Sequence, residues 1–295
     1  MTLEGFQQFA SAFDEVFFLI GIAILGIEVV RGLATKAYRW RGFQDMLVNV
    51  STQIPFLAVE ILILSFAYAG YSVLSTTYVG WVVPMSIGTA LLAVLACDFV
   101  YYWEHRFAHQ IRLFWTQHAV HHSSRFMNIT VGVRFGPLEG LLSLLAHLPL
   151  VFVGFPPKAI FVGILIVQAY QTWIHTELIG KLGPVDGILN TPANHRVHHG
   201  CDEKYTDKNY GGILIIWDRM FGTYQAEVER PRYGLKRDFN SVNPFKVWIS
   251  ELPQFWRDIK NADTFIELWM TIFGPPGWSP KKNSARTGAP HIPAE

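Results

Sequence analysis

Nine of the eleven histidines occur at spacings suited to metal binding. His105 and His109 form an H-x-x-x-H pattern, and two H-x-x-H-H patterns begin at His118 and His195. On an α-helix, positions three and four residues apart share one face, so each cluster can direct two or three imidazoles at one point. His175 stands between the clusters. The nine predicted metal ligands are His105, His109, His118, His121, His122, His175, His195, His198 and His199.

The number of histidines indicates how many metal ions they hold. A structural zinc ion takes four ligands and a catalytic one typically takes three plus water, so nine imidazoles suit two ions better than one. Imidazole binds iron, copper, zinc and nickel, which leaves the metal open, and the H-E-x-x-H of metalloproteases is absent. Because neutral imidazoles bring no negative charge, we expect carboxylates behind them. The candidates are Asp98, on the helix face of His105, and Asp207 and Asp218, downstream of the last cluster.

The composition predicts that a membrane surrounds much of the chain. Hydrophobic residues make up 51% of the 295 residues and charged residues 16%, against roughly 25% charged residues in soluble domains. The net charge of +1, without a basic block, does not suggest a nucleic-acid partner. A bilayer core of about 30 Å needs roughly 20 helical residues. The candidate segments are Phe13–Val30, Ile54–Leu74, Val79–Trp103, Leu138–Phe155 and Ala159–Ile174.

These segments predict an all-α integral membrane protein with four to five transmembrane or re-entrant helices. The last two segments are the shortest, so they either span or form a hairpin that dips into the bilayer. The loop after the first segment carries Arg31, Lys36, Arg39 and Arg41, which predicts that it is cytoplasmic and that the N-terminus is on the opposite side. The clustered histidines are predicted to lie on the same side of the membrane as that loop. A cytoplasmic helical cap should therefore hold the di-metal site.

We expect one membrane-embedded domain over residues 1–275, with a histidine-box core at about 90–225. Apolar residues at helical spacing predict two amphipathic helices over 245–259 and 265–272. These helices either lie on the membrane surface or pack on the cap. Residues 276–295 are rich in Pro, Gly, Lys and Ser and are predicted to be a disordered tail.

The histidine motifs resemble those of the sterol desaturase/fatty acid hydroxylase superfamily. The resemblance covers about residues 90–225 and includes Asp98-x-x-Tyr101-Tyr102-Trp103-x-His105-Arg106-x-x-His109 and Asn194-His195-Arg196-Val197-His198-His199. Asn190-Thr191-Pro192, Asp207-Lys208-Asn209-Tyr210-Gly211-Gly212 and Trp217-Asp218-Arg219 make the chain most similar to the alkylglycerol monooxygenase branch. That branch has a glutamate where this chain has Gln110. Its animal members use tetrahydropterin as reductant, and the change puts a pterin requirement here in question.

The resemblance implies a non-heme di-iron lipid monooxygenase. The nine histidines would hold two iron ions, O₂ would be the co-substrate, and a membrane lipid would be hydroxylated or desaturated. The substrate would be an ether lipid, a sterol or a fatty acyl chain, and a separate electron donor would be needed because no b-type cytochrome domain is fused. Two alternatives are a membrane-embedded binuclear zinc hydrolase and a metal transporter. The sequence carries no prediction of the oligomeric state.

Overall fold

Three long helices form the part of the protein that resembles a membrane domain. The computed structural model describes residues 1–35 and 40–281, and apart from two isolated β-bridges every regular element in these ranges is helical. Helix α1 is Leu3–Thr35, α2 is Trp40–Leu74 with a π-helical extension Ser75–Val79, and α3 is Ile87–Gln110. All three are long and apolar enough to cross a membrane. Large apolar side chains on α2 are exposed, with Phe66 at 78%, which indicates contact with lipid rather than water.

Helix α3 begins later than the apolar pattern predicts. The predicted segment opens at Val79, but the helix starts at Ile87. Gly80 has a left-handed φ of 71°, and Pro84 cannot donate a backbone hydrogen bond, so residues 80–86 remain non-helical. The Ser86 side chain then accepts a hydrogen bond from the Thr89 N–H at 3.0 Å and caps the new helix. At its other end α3 continues past Trp103 to Gln110, which carries both histidines of the first cluster.

The last two predicted membrane segments are short helices. They form α5 (Glu139–His147), α6 (Pro149–Phe152) and α7 (Pro157–Tyr170), and a 3₁₀ turn continues α7 to Ile174. At 1.5 Å per residue, α7 is about 21 Å long, less than a bilayer core of about 30 Å. Helix α7 packs between α1 and α3, and Gly163 lets it approach closely, since an added Cβ would lie 2.7 Å from the Cys97 sulfur. The short lengths favour the hairpin alternative.

The remaining helices form a cap at the end of α3. They are α4 (Arg112–His122), α8 (Pro192–His198), α9 (Ile216–Met220), α10 (Pro244–Trp248), α11 (Leu252–Asn261) and α12 (Phe265–Phe273). Two further 3₁₀ turns are Ile129–Val133 and Gly183–Gly187. The single helix predicted over 245–259 is therefore wrong in detail. It is broken after Trp248, and Pro253 stands in the first turn of α11, where its missing N–H is tolerated.

A buried ion pair fastens the C-terminal helices to α4. The Arg112 guanidinium donates to the Asp258 carboxylate, and both side chains are buried. Arg112 also donates to the Trp278 carbonyl at 2.7 Å and, through its backbone N–H, to the Gly274 carbonyl at 3.0 Å. Residues 276–281 of the predicted tail therefore lie against the cap. Residues 282–295 lie outside the described residues, as do Lys36 and Arg39.

Replacing Arg112 with alanine should destabilise the cap strongly. The change removes the Arg112 guanidinium from the buried Asp258 carboxylate, and breaking a buried ion pair costs about 3–5 kcal/mol. We expect a large fall in the thermal unfolding temperature of the detergent-solubilised protein. Arg257→Ala is the control, because Arg257 is exposed on the same helix as Asp258 and, among the described residues, donates to Gln254 alone. Equal unfolding temperatures for the two variants would show that the pair does not stabilise the cap.

Candidate metal centre

Four elements bring the nine clustered histidines together. His105 and His109 lie one turn apart on α3, and α4 presents the second cluster in its last two turns. His195 and His198 lie on α8, and His199 follows as its C-cap. His175 ends the 3₁₀ turn that follows α7. All nine side chains are buried.

The histidines divide into two adjoining groups. Within each group the candidate ligand nitrogens all lie within 4.8 Å of one another. The division does not follow the sequence clusters, because adjacent histidines on α4 and α8 belong to different groups. The five-histidine group is His105, His109, His118, His122 and His198, and the four-histidine group is His121, His175, His195 and His199.

The spacing of the nitrogens matches the edges of a coordination shell. In the five-histidine group, the Nε2 atoms of His105 and His118 are 3.1 Å apart, and those of His122 and His198 are 3.0 Å apart. In the four-histidine group, His195 Nε2 lies 2.8 Å from that of His175 and 3.1 Å from that of His199. Imidazoles bound to one metal at about 2.1 Å and at right angles have nitrogens about 3.0 Å apart.

Acceptors behind the rings decide which nitrogen of each imidazole carries the proton. In the five-histidine group, the Nδ1–H of His105 donates to the Tyr210 carbonyl at 2.9 Å, and that of His118 donates to Glu139 at 2.5 Å. His198 donates in the same way to the Lys208 carbonyl at 3.1 Å. With the proton on Nδ1, the Nε2 lone pair faces the centre of the group.

The four-histidine group uses backbone acceptors. The Nδ1–H of His121 donates to the Arg134 carbonyl at 3.2 Å, and that of His175 donates to the Gln171 carbonyl at 3.0 Å. The Nδ1 of His195 is buried without a partner in the described residues. Because converging Nε2 lone pairs cannot hydrogen-bond to one another, a cation between them is the arrangement that satisfies both groups. The donor set therefore fits a pair of metal ions.

Burial keeps the imidazoles in the neutral form that binds metal. Removal from water lowers the pKa of six clustered histidines outside the long helices. The pKa of His175 falls to about 4. For the other five histidines, neighbouring imidazoles lower the pKa further, because a second positive charge nearby is unfavourable. The other five histidines, with pKa values well below the usual range, are His121, His122, His195, His198 and His199.

A fully buried arginine holds the acceptor of His121 in place. The Arg134 side chain is 0% exposed and donates to the Val120 carbonyl at 2.9 Å and to Ser123 Oγ at 2.7 Å, so it binds the end of α4. It also donates to Asn49 Oδ1 at 2.5 Å, which ties the same site to α2. The sequence motifs did not point to Arg134, because its role depends on contacts with residues far away in the chain.

The loop after α8 adopts a strained backbone that directs two carbonyls at the five-histidine group. Asp207 and Asn209 both have φ of 58°, which is uncommon for residues other than glycine. The Lys208 carbonyl, which accepts from His198, lies between these two residues. The Tyr210 carbonyl, which accepts from His105, follows them. The Asn209 side chain stabilises the loop by donating to the Asn194 and Gln225 carbonyls at 3.0 and 2.8 Å.

The three predicted carboxylates lie at different depths. Asp207 Oδ1 is 3.6 Å from His109 Nδ1, so this residue lies beside the five-histidine group. Asp218 accepts from the Tyr210 N–H at 2.7 Å and therefore acts on His105 only through the Tyr210 backbone. Within residues 1–35 and 40–281, Asp98 bonds no histidine, although it lies on the helix of His105. Its carboxylate accepts from the Ile213 and Leu214 N–H groups and the Trp217 indole.

The carboxylate that bonds a histidine directly is Glu139, which sequence reasoning missed. It lies in the first turn of α5 and also accepts from the Gly136 N–H at 3.2 Å. The only signal in the sequence is an acidic residue at the start of an apolar segment. A helix N-terminus attracts such a residue for its own reasons, so the pattern did not single it out.

A cavity of about 400 Å³ connects both histidine groups with the cap surface. It reaches His122 and His198 of one group and His199 of the other. Its lining also includes Trp115, Pro275 and charged residues of the cap. The cavity therefore lies on the cap side of the histidines.

The metal-free protein should lose stability as the pH falls from 6.5 to 5. The folded pKa of these imidazoles lies below the unfolded value of about 6.5, so the unfolded chain takes up protons that the folded chain excludes. Each imidazole contributes up to about 1.4 kcal/mol per pH unit in this window. Chemical unfolding in detergent at a series of pH values measures the slope, and His195→Asn should make it shallower. A stability that is flat or rises toward pH 5 would contradict the prediction.

Residues 90–223 match the family model described as fatty acid hydroxylase. The alkylglycerol monooxygenase of Xenopus tropicalis is 37% identical over 281 residues, which cover 93% of this chain and 60% of that relative. The Homo sapiens alkylglycerol monooxygenase is 35% identical over 268 residues, covering 88% and 59%. An ornithine lipid hydroxylase of Rhizobium tropici is 36% identical over 144 residues, covering 48% and 43%.

The chain spans about 60% of the length of these two alkylglycerol monooxygenases. No solved structure matches it. The region that matches the family model contains all nine clustered histidines together with the loop that supplies their backbone acceptors. Residues 90–223 therefore match the fatty acid hydroxylase family, and 93% of the chain is similar to an alkylglycerol monooxygenase.

Proposed function

We propose that the protein is an O₂-dependent, non-heme di-iron monooxygenase that hydroxylates or desaturates a C–H bond of a membrane lipid. The observation that carries the proposal is the convergence of nine buried imidazoles into two adjoining groups at the end of membrane-type helices. The relatives support it, because their names describe monooxygenases and hydroxylases that act on lipids. Ether lipids, sterols and fatty acyl chains are the candidate substrates.

The roles of this chain's own residues follow from the contacts. The five- and four-histidine groups would each hold one iron ion, and the bound pair would supply the O₂ activation that side chains cannot perform. Glu139 and the carbonyls of residues 134, 171, 208 and 210 fix the rings, so the ligands need no rearrangement during a reaction. Burial of the groups excludes bulk water. The cap-side cavity gives a separate electron donor access to the edges of His122 and His198.

The cap is proposed to be cytoplasmic, with the N-terminus on the opposite side. Arg31 and Arg41 lie at the loop between α1 and α2, where positive charge favours the cytoplasm. The Arg41 guanidinium donates to Asn240 Oδ1 in the cap at 2.7 Å. This bond supports the assignment of the first loop and the cap to the same side.

The zinc hydrolase alternative is less well supported. A hydrolytic zinc site needs an open position and a general base beside it. Glu139 beside the groups is already bonded to His118 and Gly136, and Asp207 lies beside His109. A transporter would place its ligands near the bilayer midplane, whereas these histidines follow the apolar part of α3.

Iron-dependent O₂ consumption with an oxidised lipid product would support the proposal. Zinc-dependent hydrolysis would overturn it.

Removing one ligand should lower the metal content. The protein purified in detergent from iron-replete cells should hold about two iron ions per chain, as expected for nine imidazoles with four or five ligands per ion. His121→Ala should lose most of the iron of its group, because the four-histidine group has no spare ligand. His147→Gln is the matched control, since His147 is buried but belongs to neither group. Unchanged metal content in His121→Ala would sink the ligand assignment.

Glu139→Gln should weaken metal binding without removing a ligand. The change takes away the negative charge of the carboxylate that accepts the hydrogen bond from His118 Nδ1–H. Mutating a residue that hydrogen-bonds a metal ligand typically lowers metal affinity about 10–100-fold. Chelator competition on the purified protein should show faster release of one ion from the variant than from the wild type. Glu203→Gln, at an exposed position of the cap, is the control. Identical release curves would show that Glu139 only supports the fold.

A further inference from the structure

A second cavity, of about 490 Å³, lies between the last turns of α1 and the cap. Its α1 wall is formed by Glu28, Arg31 and Gly32, and its cap wall by residues 125–127, 177–178 and 230–233. Neither histidine group reaches this cavity. Four of the lining residues are arginines, which is an unusual concentration of positive charge for a chain with a net charge of +1. The four are Arg31, Arg125, Arg230 and Arg232.

The two carboxylates in the cavity are already engaged. Glu177 receives both the Nε and the Nη2 of Arg230 in a two-point ion pair, and it accepts from the Tyr233 hydroxyl at 3.1 Å. Glu28 is 2% exposed and accepts from the Thr176 hydroxyl at 2.5 Å. Neither side chain needs a further partner from the cavity. Arg125 and Arg232 pair with acidic residues that do not line it, Asp238 and Asp202.

Several guanidinium nitrogens remain available to a ligand. In the described part of the chain, the Arg31 guanidinium makes no hydrogen bond and no close ion pair. With partners counted among residues 1–35 and 40–281, Arg125 uses Nε and Nη2, which leaves Nη1. On the same count Arg232 uses Nε, which leaves both terminal nitrogens. Planar guanidinium groups with paired free donors match the oxygen geometry of a phosphate.

The position of Arg31 identifies the source of the phosphate. It lies one turn from the end of α1, a helix long and apolar enough to cross a membrane, so the cavity lies at the depth of lipid head groups. Ile27, one turn earlier on the same face, is 58% exposed, and Val30 and Leu33 are also exposed. A free phosphate has no use for this apolar surface, but an acyl chain would cover it.

We propose that the arginine cavity binds the phosphate head group of an anionic membrane lipid, whose acyl chain lies along α1. The site is separate from the histidine groups and does not depend on the catalytic proposal. Its ligand joins α1 to two segments that follow metal-site elements, residues 125–127 after α4 and residues 177–178 after His175. The bound lipid thus holds the cap against the membrane face of the bundle.

The test is lipid binding by the whole protein in neutral detergent, measured by native mass spectrometry. Phosphatidylglycerol should bind at least tenfold more tightly than phosphatidylcholine, whose ammonium group cancels the phosphate charge. Arg31→Gln combined with Arg232→Gln should abolish the preference. The control combines Arg257→Gln with Lys260→Gln, which removes two positive charges from the exposed face of α11 outside the cavity. Equal binding of both lipids by the wild type, or an unchanged preference in the cavity variant, would overturn the proposal.

Two further arms separate the possible explanations. Glycerol 3-phosphate carries the same phosphate without a chain, so it should displace phosphatidylglycerol only at far higher concentration than a short-chain phosphatidylglycerol does. Equal potency would mean an anion site without lipid specificity and would overturn the assignment. Arg232→Gln alone covers the case of a misfolded double variant, because this side chain is 78% exposed. It should weaken phosphatidylglycerol binding several-fold while the unfolding temperature stays unchanged, and undiminished binding would again contradict the proposal.

Discussion

The need to bring nine imidazole rings together inside the protein governs the rest of this structure. Lone pairs that face one another cannot form hydrogen bonds, and burial removes the water that would otherwise satisfy them. The chain meets this constraint from behind the rings, with acceptors that hold a proton on Nδ1 at five positions of the two groups. Most of those acceptors are backbone carbonyls. Their positions depend on how the loops of the cap are folded.

Each long helix contributes one buried carboxylate that fixes a cap loop. The carboxylates sit at the junction between apolar bundle and cap, where an unpaired charge would be costly. Each accepts hydrogen bonds from the segment adjoining a histidine element, so the bundle and the cap position the metal ligands together. The three contacts are Glu28 on α1 with Thr176 and Ile129, Asp45 on α2 with Arg134 and Ser124, and Asp98 on α3 with residues 213–217.

The all-helical fold, the membrane character and the family could be predicted from the sequence, because apolar length and histidine spacing are local patterns. The division of the nine histidines could not be predicted. His121 and His122 are neighbours in the sequence but lie about 100° apart around a helix, so they face different groups. Glu139 and Arg134 act through contacts across many residues, and Asp98 shares a face with His105 yet bonds the cap. The late start of α3 depends on Gly80 and Pro84, within a segment that hydropathy alone describes as continuous.

The division of adjacent histidines has a consequence for motion. Two neighbouring pairs, His121 with His122 and His198 with His199, each place one ring in each group. The peptide bonds joining these two pairs of neighbours therefore fix the distance between the two groups at two places. The rings of His122 and His199 also stack between the groups, with centroids 4.4 Å apart. A centre built in this way behaves as a rigid body. Any opening that admits a large molecule must come from the loops and helices around the histidines, which can move without changing the distance between the two groups.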